Sequence, residues 1–561
     1  MQVKDLKESK SYFICKPSVV LREYKDGKGK VNHLILGDWL RYAGEHYLHK
    51  WKTSKGIARS QRYVKVKCRG DTGWLKLDDF DKERCLEVNF VDVGQGDGCH
   101  IVTPEDKVLL VDAGKDDNME RFLSWRYNLR ERNVRGTPSF KKDISEKKPW
   151  KIDYVVMSHP DEDHYGGFAP VFKNKKLSFD KVYHNGIVER PQETKVTGVT
   201  YKYDLGGTFK ADGEDYLFDY ITGSSAHKKR VKNFPKTTKR LISAFRALYA
   251  NTSKAKVAAL GVRMDSLNAE TYMPDFEKNK KFSLQLLGPI QERKKFKGKT
   301  KTTVRLLGDE GVTKNGHSVI FKARYGKLSL LLGGDLNSQS QNFLMQSYAG
   351  TAHSPEDIEK GIKKLKSKRQ PLKKKDQDKL DLLLGEQAVM RKKGRETFEV
   401  DVAKACHHGS QHIIDQFIKS VNAVATVISS GDGEKHSHPR PEALGAYGKL
   451  GRGNRPLIFS TELARSSFEF TPKVKNYMAI RGIMLQIEAE PDEGKKAALI
   501  AELESKKDRN VAVYGMITLR ALGDQVIIAQ KLEEPRSVSQ KWDIYELEYD
   551  QTEGQYRYDS H

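Results

Sequence analysis

The chain has 561 residues, 37% hydrophobic and 31% charged, with 100 Lys and Arg against 75 Asp and Glu for a net charge of +25. That length admits about two to four domains and a large core. The sequence lacks an apolar run long enough for a transmembrane helix, and its five cysteines, with no C-x-x-C pair, argue against a disulfide framework or a cysteine-rich zinc site. The positive excess points to a polyanionic partner, nucleic acid or a phosphorylated substrate, with plain solubility as the alternative. The opening MQVKDLKESKSYFICK has no apolar signal-peptide core, so a reducing cytoplasm and no membrane association are expected.

In chain order, SYFICKPSVVLREY, NHLILGDWLRYAG, QRYVKVKCRG and TGWLKLDDF are short alternating runs separated by Gly- and Lys-rich turns. They predict a small β domain over residues 1–80. The closing GDTGWLKL resembles a bacterial SH3-like barrel, a kind of module that binds partners rather than catalyses. A second unit begins at CLEVNFVDVGQGDGCHIVTPEDKVLLVDAG, where two strands bracket a Gly-rich turn and lead to Asp112. A polar helix follows. Then comes KIDYVVMS, an apolar strand that opens directly into HPDEDHYGG, with two histidines and three carboxylates between His159 and His164. Histidine nitrogens and carboxylate oxygens at a strand end are natural ligands for zinc, manganese or iron, although the same residue types are common in solvated loops.

The chain is basic and irregular near 190–305, with HKKRVKNFPKTTKRL and ERKKFKGKTKTT, and this part reads as an insertion rather than core sheet. A second insertion is expected over 354–397, where SPEDIEKGIKKLKSKRQPLKKKDQDKLDLLLGEQAVMRKK has helical spacing and a Lys-rich face. It fits a solvated helical hairpin and a phosphate-backbone contact equally well. NVAVYGMITLRALGDQVIIAQKLE reads as a strand pair that completes or flanks the catalytic sheet, and 541–561 as a C-terminal tail.

Four further stretches repeat the strand-end pattern. Asp112 ends KVLLVDAG, His317 lies in KNGHSVIF, Asp335 ends YGKLSLLLGGD, and His407 and His408 follow VDVAKAC in HHGS. The order HxDxDHxGG, His317, GGD, HHGS resembles the metallo-β-lactamase fold of metallohydrolases. FVDVGQGDGCHIV, VLLVDAG and SHPDEDHYGG together resemble the metal-binding domain of ComEC/Rec2 DNA-uptake proteins. The resemblance implies an α/β fold, a four-layer αββα sandwich occupying 84–540 apart from the two insertions, with two divalent ions, Zn2+ or Mn2+, at one edge.

Carried over residue by residue, it gives the first ion His159, Asp161 and His317. The second takes Asp163, His164 and His408, with His407 as the competing member of the doublet. Asp335 bridges, and Asp112 orders the loop or simply forms a strand-end turn. Asp161 stands where the commoner HxHxDH pattern has histidine, which shifts preference toward manganese. His438, in GEKHSHPRPEAL, matches a G-H-P element of that branch and is expected to donate a proton or grip phosphate, while Gly409 and Ser410 offer a backbone N–H and a hydroxyl to an anionic oxygen. His184 follows a strand that generally carries no ligand in this fold. The implied chemistry is hydrolysis by a metal-bound hydroxide held in line by Asp163, on two ions about 3.5–4 Å apart. The expected activity is cleavage of nucleic-acid phosphodiester bonds. The alternatives are a phosphodiesterase for a small anionic nucleotide, and a regulatory protein recruited through the SH3-like module.

Overall fold

The alternating runs near the N-terminus become strands. Ser11–Ile14, Trp39–Lys52, Ala58–Cys68, Asp71–Lys76 and Phe80–Asp81 form an antiparallel five-stranded sheet, and Ser18–Leu21 pairs with Asn32–Ile35. Tyr12, Ile14, Leu40, Val64, Val66 and Phe80 fill the core beneath them. This computed structural model describes all residues except 1, 69, 189–197, 203–204, 235–239, 370, 432–436, 462–481, 484, 488, 508–515, 533–534 and 560–561. Parts of the basic stretch HKKRVKNFPKTTKRL, of GEKHSHPRPEAL and of NVAVYGMITLRAL therefore lie outside the described residues.

The chain divides into two compact units, one of Met1–Phe90, His100–Lys107 and Leu463–His561, the other of Val91–Cys99 and Val108–Glu462. In the first, Leu86–Phe90 pairs antiparallel with Ile517–Leu522, which continues through Gln525–Lys531 to Trp542–Asp550 and Gln555–Arg557. Residues 541–561, read as a tail, thus carry two strands. The alternation of WDIYELEYD is masked by its acidic residues, yet Trp542, Leu547 and Tyr556 are buried. Arg520 is buried here between Asp38 at 3.0 Å and Glu87 at 3.9 Å.

The second unit contains a parallel run, Val108–Ala113, Trp150–Val156, Leu177–His184 and Lys256–Ala259. Near-continuous apolar segments such as VLLVDA are what strands buried on both faces require. Helices Asn118–Arg126, Phe168–Lys173, Ser224–Asn233 and Arg240–Asn251 fall in the connections. A seven-stranded mixed sheet runs in the order Thr271–Tyr272, Phe282–Gly288, Ile320–Tyr325, Leu328–Leu332, Val402–Lys404, Ala425–Ile428, Leu457–Ser460. The last four of these strands are parallel.

Two of these core strands, Lys256–Ala259 and Phe282–Gly288, lie inside the 190–305 stretch read as insertion. KVAA is too short, and both strands are too closely flanked by lysines, for their periodicity to stand out. The 354–397 stretch forms helices Pro355–Lys366 and Lys374–Phe398. Ile358, Ile362, Leu365, Leu383, Met390 and Phe398 pack them into a core cluster, leaving the lysines outside. All five cysteines are free, and among the described residues no helix is long and apolar enough to cross a membrane.

Candidate metal centre

Most of the candidate ligands of the second unit sit at or just past a strand end, where α/β architectures gather ligands. Asp112 is near the end of Val108–Ala113, His159 to His164 follow Trp150–Val156, Asp335 follows Leu328–Leu332, and His407 and His408 follow Val402–Lys404. The tip Gly94–Asp97 completes the group. Asp97 N–H donates to Asp163 O at 3.2 Å, and Gly96, at φ +105°, brings its backbone so close that a Cβ would lie 1.7 Å from Asp163 O. Only glycine fits there.

Asp97, His164, Asp335 and His408 form a buried group whose ligand atoms lie within 4.8 Å of one another. Their hydrogen bonds set the tautomers. His164 Nδ1 is 2.8 Å from Asp112 Oδ2, whose other oxygen accepts from Ser158 N–H at 2.7 Å. His408 Nδ1 is 3.0 Å from the Ser429 carbonyl oxygen, which can only accept. In the neutral, metal-binding form both rings therefore keep their proton on Nδ1 and turn an Nε2 lone pair inward. Those two Nε2 atoms are 3.2 Å apart, and Asp335 Oδ2 is 3.1 Å from each.

Three acceptor atoms facing one another in a buried space repel unless a cation or protons lie between them. The set fits a divalent ion. Asp163 adds a fourth side, with Oδ2 3.5 Å from His408 Nε2 and Oδ1 4.0 Å from His164 Nε2. Asp97 lies instead on the Nδ1 side of both rings, 3.1 Å from His408 and 3.9 Å from His164. It ion-pairs with the buried Lys404, which also donates to Gly334 O at 3.1 Å. Asp112 and Asp97 thus back the two imidazoles, the usual arrangement behind metal-binding histidines.

The protonation tendencies follow from this geometry. Burial alone would depress His164 and His408, but the Asp335 carboxylate, with Asp112 and Asp97 respectively, holds both well above the usual imidazole value. Burial would raise Asp335, and the facing histidines pull it far below the carboxylate range.

The other half of the expected site differs. Burial pushes His159 down to about 3, so it is neutral. His159 Nδ1 lies between two hydroxyls, Ser158 Oγ at 3.0 Å and Ser318 Oγ at 3.3 Å, and the second gives its hydrogen to Asn315 O at 2.8 Å and accepts from Asp335 N–H at 3.0 Å. Asp161 Oδ1 accepts from Lys314 Nζ at 2.6 Å, and Asp161 Oδ2 is 3.8 Å from His159 Nε2. His317 is buried, and its Nε2 donates to Arg305 O at 2.7 Å. That carbonyl takes the ring proton and turns the side chain out of the group, and burial lowers its pKa to about 4.

His407 lies at the rim, Nε2 4.0 Å from Asp335 Oδ2, and both histidines of the doublet adopt left-handed backbone, φ +49° and +53°. His438 is half-buried, its ring centroid 5.7 Å from that of His407 and 6.1 Å from that of His408. Ser410 is buried and its hydroxyl accepts from His412 N–H at 3.0 Å. His184 packs against His227, away from the metal group.

Asp97, Lys404 and Lys314 were not singled out from sequence. The Asp of GQGD was the available signal for the first. The lysines look like ordinary residues of a strand and a helix.

Residues 99–199 match the family model of the metallo-beta-lactamase superfamily, a stretch that holds Asp112 and the His159–His164 cluster. No curated protein matches the chain. The superfamily is largely hydrolytic and generally binds divalent metals, so the match and the four-residue group together indicate a metal-dependent hydrolase.

Proposed function

We propose that the protein is a phosphodiesterase that cleaves DNA or RNA, built on a metal-binding site whose motifs resemble those of ComEC/Rec2 proteins. The observation that carries the hydrolytic part is the convergence of His164 Nε2, His408 Nε2 and Asp335 Oδ2 within 3.2 Å of one another. The chain's +25 charge supports the polyanionic substrate. On this reading the parallel sheet and the seven-stranded sheet are the two β layers of an αββα sandwich. The N-terminal five-stranded sheet is an SH3-like module that recruits a protein partner, and five free cysteines suit the cytoplasm.

A bound zinc or manganese ion supplies a Lewis acid and a water of lowered pKa. The chain does the rest. Asp112 and Ser429 lock the two imidazoles with lone pairs inward. Asp163, the more exposed carboxylate of the group, aligns the attacking water. His438, beside the His407–His408 turn, gives a proton to the leaving oxygen. Exposed Lys228, Lys229 and Lys232 on one helix, and Lys363, Lys364 and Lys366 on another, hold flanking phosphates.

The test is cleavage of end-labelled single- and double-stranded DNA and RNA by the parent chain with added manganese or zinc, across a salt series. Cutting that weakens with salt, with a binding slope near −0.9 per neutralised phosphate on duplex DNA, supports the reading. Turnover confined to a cyclic nucleotide and indifferent to salt and to polymer competitors overturns it in favour of a small-anion enzyme.

A further inference from the structure

The two halves of the site are not equivalent. His164, His408, Asp335 and Asp163 turn their ligand atoms on one another. In the other half every acceptor is already met by the protein. Lys314 Nζ holds Asp161 Oδ1 at 2.6 Å. With the Asn315 amide turned so that its nitrogen meets the acceptors around it, that nitrogen donates to Asp161 Oδ2 at 2.6 Å and to Gly311 O at 3.3 Å, and lies 3.3 Å from His159 Nε2, the ring atom that faces Asp161. His317 spends its Nε2–H on Arg305 O. Among the described residues, His159, Asp161 and His317 do not come together as a metal-holding group, whereas Asp97, His164, Asp335 and His408 do.

From this we infer that the chain holds a single divalent ion, in the half built by Asp163, His164, Asp335 and His408, and that the Lys314 ammonium occupies the place of a second ion beside Asp161. The inference rests on the hydrolase reading above and sharpens it. An ammonium on Asp161 gives that half its positive charge with no metal. A dication placed on the same carboxylate would meet a like charge at contact distance, and would also have to displace the Asn315 amide from Asp161 and His159. Lys314 sits in the short helix Glu310–Gly316, whose Asp309 cap accepts from Val312 N–H at 2.8 Å. That cap anchors the turn carrying the ammonium. The side chain is mostly buried, so its cation acts in a partly desolvated setting.

The experiment is metal stoichiometry by native mass spectrometry and plasma mass spectrometry on the intact chain, stripped with chelator and reloaded with manganese or zinc. The parent is expected to take one equivalent. Lys314→Ala, which frees Asp161, is expected to take a second equivalent at metal concentrations where the parent takes one, whereas Lys314→Arg keeps one. Asp161→Asn is expected to retain one equivalent, since its carboxylate serves the ammonium. Two equivalents in the parent overturn the inference and leave the hydrolase reading standing. A fall to zero in Asp161→Asn makes Asp161 a ligand and also overturns it. A folded Lys314→Ala chain that stays at one equivalent overturns the role given to the ammonium. No bound metal in the parent under any loading overturns the hydrolase reading itself.

Discussion

Asp112→Asn separates an orienting carboxylate from a mere turn former. Asp112 is 1% exposed, accepts from Ser158 N–H at 2.7 Å and faces His164 Nδ1 at 2.8 Å. Its φ of +57° is left-handed, a conformation asparagine adopts readily, so the backbone is unchanged by the substitution. The asparagine oxygen keeps the Ser158 bond. Its NH2 group then confronts His164 Nδ1, which must give up its proton and become an acceptor, and the ring proton moves to Nε2, the atom that faces Asp335 Oδ2 and His408 Nε2. Metal binding then requires the unfavourable tautomer. Loss of such an orienting partner costs about 10–100-fold in metal affinity, roughly 1.4–2.7 kcal/mol. Asp112→Ala adds a stability loss, because Ser158 N–H is left buried without its acceptor, at about 1–3 kcal/mol. The assay is competition with a chromophoric chelator for manganese or zinc, paired with thermal unfolding of the metal-free chains. A folded Asp112→Asn chain with parental metal affinity would refute the orienting role and leave Asp112 as a turn former.

Lys404→Met strands Asp97 as a buried charge without its cation and is expected to cost about 3–5 kcal/mol in denaturant unfolding, with much of the loss recovered in the Lys404→Met, Asp97→Asn double variant; an additive double variant contradicts the pairing. Gly96→Ala forces a Cβ to 1.7 Å from Asp163 O at φ +105° and is expected to lower stability by roughly 3 kcal/mol or more while weakening metal binding; a parental denaturation midpoint contradicts it. Lys322 is buried, donates to Thr397 O at 3.0 Å, and burial pushes its amine down to about 8 from 10.5. Its unfolded state binds more protons between those values, so its penalty is full below pH 8 and fades toward pH 10.5. Lys322→Met is accordingly expected to be more stable than the parent by about 3 kcal/mol near pH 7, less whatever the lost Thr397 bond contributed, and the gap is expected to shrink as pH rises through that window; a pH-independent gap contradicts this.

What could be read in advance was the set of residues that follow apolar strands. His164, Asp335 and His408 each come directly after a segment such as KIDYVVMS, LSLLLGG or VAKAC, and strand ends are where a parallel sheet gathers side chains. What could not be read was direction. His317 precedes an apolar strand instead, at the end of helix Glu310–Gly316, and its ring turns to the Arg305 carbonyl, a partner twelve residues away that no local pattern marks. Asp97 lies in a glycine-rich tip whose route back to Asp163 is a matter of tertiary approach. Lys314 and Lys404 are two among 100 basic residues. Only the neighbouring carboxylates, remote in sequence, distinguish them from surface lysines. Lys256–Ala259 was hidden for a related reason, since four residues carry too little periodicity to announce a core strand.

The most direct measurement is hydrolysis of bis-(p-nitrophenyl) phosphate by the chelator-stripped chain as manganese or zinc is restored. The substrate makes no demand on the basic surface, so the reading isolates the chemistry of the His164–His408–Asp335 group. No turnover is expected without metal, with saturating recovery on addition and no recovery in His408→Ala or Asp335→Ala chains that remain folded. Equal turnover in chelator and in metal, or full recovery in either folded variant, contradicts it.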